Sequence, residues 1–244
     1  MTYLKKQTLD GSHTYFSPLY QEDCHSLHGA KIETQTYYIE GCEVVQKSTV
    51  HSPLNILEIG FGIGLGAITT FEALKDKNVN FISFEIDPQM IEIAFKENDF
   101  SMFIKTKTHF GYELTHQNFK ISLYLGNARE LIHQFPQDYF HAIYQDAFSP
   151  KKNPEIWSYE WFCDLKTKSG QDCILSTYSA SSSIRKSLIH AGWKVKHGLK
   201  CEGKRSSTVA TIIGESDPEI IDHLNRSPVP IIYDDKLEEF KKMR

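Results

Sequence analysis

Glu58-Ile59-Gly60-Phe61-Gly62-Ile63-Gly64 places an acid and three alternating glycines directly after an apolar run. Glycine has no Cβ, so such a stretch can turn sharply and let a ligand approach its backbone N–H groups. A second acid, Glu85, ends another apolar run about 20 residues further on, the spacing at which a carboxylate accepts the hydroxyl hydrogens of a ribose. A third acid, Asp146, stands in Tyr144-Gln145-Asp146-Ala147-Phe148-Ser149-Pro150. A carboxylate there can hold an amine and take its proton, or it can simply cap a turn before a proline-rich loop.

Two cofactors suit the glycine loop. Gly62-x-Gly64-x-x-Ala67 fits a dinucleotide fingerprint, with a pyrophosphate resting on a helix N-terminus. Glu58-x-Gly60-x-Gly62-x-Gly64 instead resembles the first motif of class I methyltransferases, which bind S-adenosylmethionine. Glu58 favours the second, because an acid beside a pyrophosphate is repulsive.

These residues need elements to position them. Leu54–Ile59 reads as a buried strand, and Ala67, Ile68, Phe71 and Leu74 then recur near helical spacing. Val79–Ile86 is a second strand, followed by Asp87-Pro88 as a helix start. Ile121–Leu125, Tyr139–Gln145 and Cys173–Leu175 are further strands, separated by helices over 128–135, from Asn153 onward, and over 181–190. Trp193–Leu199 and Thr208–Ile213 form a closing antiparallel pair. Strands alternating with helices imply an α/β fold with a mostly parallel sheet and helices on both faces. Ligands of such sheets bind at the carboxyl ends of the strands, where all three acids fall. Residues 51–214 make this domain. Residues 1–50 read as a β-rich extension, with Tyr37-Tyr38-Ile39 and Cys42-Glu43-Val44-Val45 as short strands around a Glu40-Gly41 turn. Residues 215–244 read as a helical tail.

Charge and cysteine content narrow the class. The net charge is −4, but 151–210 hold 11 Lys and Arg against 5 Asp and Glu, a local positive face that permits a nucleic-acid partner. Five scattered cysteines without a Cys-x-x-Cys pair, no apolar leader and no run of membrane-spanning length suggest a cytoplasmic protein. Cys24-x-x-x-His28 has no second ligand pair nearby, so no metal is expected. Trp157 and Trp161, one helical turn apart, read as core rather than as a base-stacking platform.

Asp146-Ala147-Phe148-Ser149-Pro150-Lys151-Lys152-Asn153-Pro154-Glu155-Ile156-Trp157 resembles the D-x-F-x-P-x-K-N-P-x-x-W signature of the methyltransferase half of the MnmC family. That family completes 5-methylaminomethyl-2-thiouridine at the wobble position of tRNA. Asp10-Gly11-Ser12, Phe16-Ser17, the 25–30 segment, Ser83-Phe84-Glu85 and Gly203-Lys204-Arg205 resemble other family segments. The resemblance implies a seven-stranded class I methyltransferase sheet, S-adenosylmethionine as cofactor and tRNA as partner. It implies a cofactor site of Glu58, Gly60, Phe61, Gly62, Gly64, Glu85, Ile86, Asn127 and Asp146, with Asp146 also catalytic as positioner and proton acceptor. Phe148, Lys151, Lys152, Lys204 and Arg205 would meet the substrate. Asn127 stands where the family usually has Asp. No counterpart of the family's oxidase half is expected, so a separate enzyme would supply the aminomethyl precursor. A small-molecule methyltransferase, a nicotinamide-dependent dehydrogenase and a non-catalytic RNA-binding module remain alternatives.

Overall fold

The computed structural model describes residues 2–25, 27, 29–201 and 207–242. Among these described residues twelve strands form two sheets. The small sheet is antiparallel, built from β1 (Leu4–Gln7), β2 (His13–Ser17) and β3 (Glu22–Asp23) in that order. The large sheet takes β4 (Leu54–Ile59), β5 (Val79–Glu85), β6 (Ile104–Lys107), β7 (Gly111–His116), β8 (Phe119–Leu125), β9 (Phe140–Gln145), β10 (Ser169–Thr177), β11 (Lys194–His197) and β12 (Thr208–Thr211). Its spatial order is β11-β12-β10-β9-β4-β5-β8-β7-β6.

Strands β10, β9, β4, β5 and β8 run parallel, and β12 lies antiparallel between β10 and β11. This is the expected sheet of seven strands. The β6–β7 hairpin extends it to nine by pairing antiparallel with the outer edge of β8. An unpaired edge invites pairing with another chain, and the hairpin moves that edge to β6, a four-residue strand exposed throughout.

All six residues of β4 are buried, because helices cover both faces of the sheet. On one face Trp161, Phe162, Leu165, Ile184 and Leu188 pack over Leu57, Ile59 and Ile143. On the other, Phe71, Leu74, Ile91 and Ala94 pack over Ile56, Phe81 and Ile121. Asp87 caps the Pro88–Glu97 helix by accepting from the Gln89 N–H at 2.8 Å, with Pro88 in the first turn. Ser158 caps Tyr159–Lys168, so the helix expected from Asn153 begins as a short 3₁₀ turn over Pro154–Ile156. Trp157 and Trp161 are fully buried core residues.

The N-terminal segment departs from expectation. Tyr37-Tyr38-Ile39 and Val44 are not strands. Ala30–Thr34 is α-helical, Gln35–Glu40 winds on as a π-helix, and Val44–Lys47 is a short α-helix. Tyr37, Tyr38, Ile39, Cys42 and Val44 are all buried in the core on the Phe71 side of the sheet. Packing against a preformed sheet overrides the strand preference of aromatic and β-branched residues. The strands of this segment instead lie before residue 24. The C-terminal segment folds as Pro218–Arg226 and Leu237–Lys242, with Ile220 and Leu224 in the core. Arg129 ties the segment down through Asp234 at 2.6 Å. Among the described residues no helix is long and apolar enough to cross a membrane.

Candidate active site

The sheet reverses its strand order between β4 and β9: β5 and β8 lie on one side, β10 on the other. The carboxyl ends of β4, β5, β8 and β9 therefore open one crevice, the switch point at which such sheets bind ligands. Sheet-like pairing continues into its floor. Gly60 N donates to Phe84 O at 3.0 Å, Gly126 N to Glu85 O at 2.8 Å, and Asp146 N to Ile59 O at 3.1 Å. Gly60, Gly62 and Gly64 all have positive φ, at 94°, 53° and 80°. A Cβ on Gly60 would sit 2.8 Å from the Asp146 carbonyl oxygen, so glycine is required where the loop crosses the rim.

The crevice encloses about 910 Å³, open solvent included. Gly60, Gly62, Glu85, Ile86, Asn127, Asp146 and Phe148, all expected at the site, line it together. Glu85 accepts from Gly62 N at 3.0 Å and from Ile86 N and Asp87 N at 2.8 and 2.9 Å, which fixes its carboxylate at the loop. Asp146 Oδ1 accepts from the Tyr38 hydroxyl at 2.6 Å. Asn127 Oδ1 accepts from Arg129 N, so the side chain acts locally as a helix cap while its residue borders the crevice. Lys151 and Lys152 are exposed in the turn after Phe148.

Glu58, Phe61 and Gly64 do not line the crevice. Glu58 is 2 % exposed, and its Oε2 accepts from Ser83 Oγ at 2.5 Å. Burial pushes its carboxyl well above the usual range, with the Asp146 and Glu85 charges adding to the rise. A Cβ on Gly66 would collide with this carboxyl, so Gly66 makes the space Glu58 occupies. Phe61 packs in the core beneath the loop, tilted against Phe100. Lys204 and Arg205 lie outside the described residues.

Other lining residues were not expected. Tyr3, Tyr20, Cys24 and His25 reach the crevice from the small sheet and its loops, and Asp87, Met90 and Glu155 complete the wall. Tyr20 stacks on Phe148 with ring centroids 4.3 Å apart, and Glu22 accepts from Ser149 N. The Tyr3 hydroxyl donates to Asp87 at 2.5 Å. Their sequence carries no glycine motif or strand-end acid. Only Asp87 had a local signal, as a helix cap.

The donor set decides between the two cofactors. Acids Glu85, Asp87, Asp146 and Glu155 border the crevice, and no Lys or Arg does among the described residues. A pyrophosphate would meet uncompensated like charge there, whereas a cationic sulfonium would be attracted. Ile59, Phe84, Ile86, Met90 and Ile156 offer apolar surface for an adenine.

Comparison with known proteins agrees. Residues 93–213 match the S-adenosyl-L-methionine-dependent methyltransferase family. MnmC2 from Aquifex aeolicus, as a crystal structure, superposes with a TM-score of 0.78 at 26 % identity, covering 97 % of this chain and 80 % of that one. The tRNA 5-methylaminomethyl-2-thiouridine biosynthesis bifunctional protein MnmC of Paraburkholderia xenovorans is 23 % identical over 91 % of this chain and 36 % of its own length. An uncharacterised protein of Methanocaldococcus jannaschii is 24 % identical, over 84 % of this chain and 58 % of its own. The chain thus spans about a third of the MnmC protein and somewhat over half of the archaeal one. Fold, crevice and a family match over just under half of the chain point to one class, the S-adenosyl-L-methionine-dependent methyltransferases. Within it the chain is MnmC-like, similar to the methyltransferase half of those bifunctional proteins.

A pH dependence arises from Glu85. Burial pushes its carboxyl up to about 7, partly offset by the N–H bonds from Asp87, Gly62 and Ile86. Only the ionised form accepts two ribose hydroxyls and attracts a sulfonium. If Glu85 meets the ribose, cofactor affinity should therefore rise by up to about tenfold per unit as pH climbs toward 7 and level off above it. Calorimetric titration between pH 5.5 and 8 checks this, and Glu85→Gln should flatten the profile. A flat wild-type profile would remove Glu85 from ligand contact. Folding stability takes the opposite sense. The folded value lies above the ordinary 4.5, so this group's contribution is present below about 4.5 and lost as pH rises through 7.

Proposed function

We propose that the chain methylates the exocyclic amine of 5-aminomethyl-2-thiouridine at the wobble position of tRNA. The observation that carries this reading is the placement of Asp146. It lies on the rim beside the glycine loop, with one oxygen bound by Tyr38, at the head of a segment resembling the MnmC signature.

S-adenosylmethionine, when bound, supplies a methyl carbon made electrophilic by its sulfonium. Glu85 would hold the ribose hydroxyls, while Ile86 and Asn127 would border the adenine. Gly60 and Gly62 leave room for the amino-acid end to approach the backbone. Methyl transfer then asks the protein chiefly to position the acceptor and to receive a proton. An alkyl amine resembles a lysine side chain, with an ordinary pKa of about 10.4, so near neutral pH it carries a proton and no free lone pair. Asp146 would orient the amine and accept that proton, with Tyr38 fixing the carboxylate.

Lys151 and Lys152 would contact the RNA backbone from the turn after Phe148. The loop after β11 also leaves the sheet on this rim, because β11 runs parallel to β10. Lys204 and Arg205, the basic pair that the family resemblance singles out, would add further phosphate contacts.

Transfer of methyl label from S-adenosylmethionine to tRNA carrying 5-aminomethyl-2-thiouridine tests this, with unmodified transcript as control. Label on the modified tRNA alone is the expected result. Label on free small amines without RNA would point to a small-molecule enzyme. Bound tRNA with no label on any acceptor would leave a non-catalytic module.

A further inference from the structure

Two walls of the cofactor crevice come from strands that do not pair. Asn127 and Ala128 follow β8, whereas Asn153, Glu155 and Ile156 follow β9. Strands β4 and β5 lie between β8 and β9, so three inter-strand steps of about 4.8 Å separate the two and no ladder hydrogen bond joins them directly. Arg129 links the walls. Its backbone N–H donates to Asn127 Oδ1 at 2.9 Å, while its Nη1 donates to the Glu155 carbonyl oxygen at 2.9 Å and to Ser158 Oγ at 3.0 Å.

The guanidinium is itself held by the C-terminal segment. Asp234 accepts in a fork, at Oδ1 from Nη1 at 3.1 Å and at Oδ2 from Nη2 at 2.6 Å. Asp234 is fixed in turn, because its N–H donates to Glu160 Oε2 at 3.0 Å. Just before it, Tyr159 N donates to Ile232 O at 2.7 Å and Ile232 N donates to Ser187 Oγ at 3.0 Å. The Arg129 side chain is 23 % exposed and lies over the Trp161 ring at 5.9 Å, so this pair is better shielded than an open surface pair. A planar fork meets carboxylate, hydroxyl and carbonyl at once, a geometry that a lysine ammonium cannot supply.

Resting on the methyltransferase reading above, we infer that Arg129 is a positioning residue for the cofactor. It sets the wall that Glu155 and Ile156 present to the crevice, and Asp234 of the C-terminal segment sets Arg129. Neither Arg129 nor Asp234 lines the crevice. A flat purine gains dispersion energy only where the walls meet it, and a gap of about 0.5–1 Å forfeits about a quarter to a half of each contact. Without the guanidinium, the Pro154–Ile156 turn loses the bond that ties it to the Asn127 side. The C-terminal segment thus belongs to the cofactor site at one remove.

The test is calorimetric titration of S-adenosylhomocysteine into protein shown by circular dichroism to be folded. Arg129→Gln should weaken binding by about tenfold and Asp234→Asn by about threefold, and the double variant should bind no more weakly than Arg129→Gln, because both act through one contact. Asp234→Glu keeps the carboxylate and should recover most of the affinity that Asp234→Asn loses. Lys186→Met is the control. Lys186 Nζ also holds the C-terminal segment, through Ser227 O at 2.7 Å and Val229 O at 2.9 Å, but reaches no residue of the crevice. That variant should lose stability and keep its affinity for S-adenosylhomocysteine. Unchanged affinity in Arg129→Gln or, should that variant not fold, in Asp234→Asn would overturn the assignment. So would an equal loss in Lys186→Met, which would trace the effect to general loosening. A wild type that binds no S-adenosylhomocysteine would discard the cofactor reading and this assignment with it, whereas tight wild-type binding with indifferent variants discards this assignment alone.

Discussion

Asp146→Ala is expected to lower kcat/KM for methyl transfer by about 10²–10⁴-fold, the range a positioned proton acceptor supplies. Structural damage should be small by comparison. The substitution leaves the Tyr38 hydroxyl buried without its acceptor, at a cost of about 1–3 kcal/mol, which a folded domain tolerates. Cofactor affinity should change by less than about tenfold, because Asp146 is one of several acids around the crevice. Single-turnover label transfer, with cofactor binding measured separately, distinguishes the two effects. Asp146→Asn separates two roles for the same residue. Its Oδ1 can still accept from Tyr38, but the amide cannot take a proton. A loss as large as in Asp146→Ala would make proton transfer the main role, whereas near-full activity would make Asp146 a positioner only. Full activity in both variants would sink its assignment to the reaction.

Trp161→Ala should cost about 3–5 kcal/mol for the emptied volume alone. Trp161 is fully buried and its indole N–H donates to Gln145 Oε1 at 3.2 Å. That oxygen would lose its partner, while the Gln145 amide still donates to Ile156 O at 2.9 Å. Against a total stability of about 5–15 kcal/mol, the variant approaches unfolding at moderate temperature. Gln145 immediately precedes Asp146, so the rim of the site should loosen along with the core. Denaturant unfolding reads the effect as a lower midpoint at constant slope. A loss below about 1 kcal/mol would mean that the helix carrying Trp161 contributes little to holding β9.

The glycine loop and Glu85 were legible because their signals are local. Three glycines with positive φ leave a mark in the chain itself, and an acid at a strand end keeps its distance from them when the sheet forms. The βα alternation, the Asp87-Pro88 helix start and the closing antiparallel pair were legible for the same reason. Glu58 shows the limit of motif reading. Its position in the motif suggested ligand contact, yet its side chain points into the core at Ser83 and Gly66. Side chains alternate along a strand, and which face meets the ligand is settled by the elements covering each face.

The sequence by itself determined the class of sheet, the glycine-lined rim and the acids at the ends of β5 and β9. Periodicity, turn chemistry and steric freedom act within about 20 residues and need no partner. Tertiary structure alone decided that residues 30–40 are helical and that Tyr38 holds Asp146 from 108 positions away. It alone brought Tyr3 and Tyr20, which flank strands of the small sheet, into the crevice and set a second, acid-lined cavity beside it. Those placements depend on which buried surface the N-terminal segment can cover, and hydrophobic burial is non-directional until a partner surface exists.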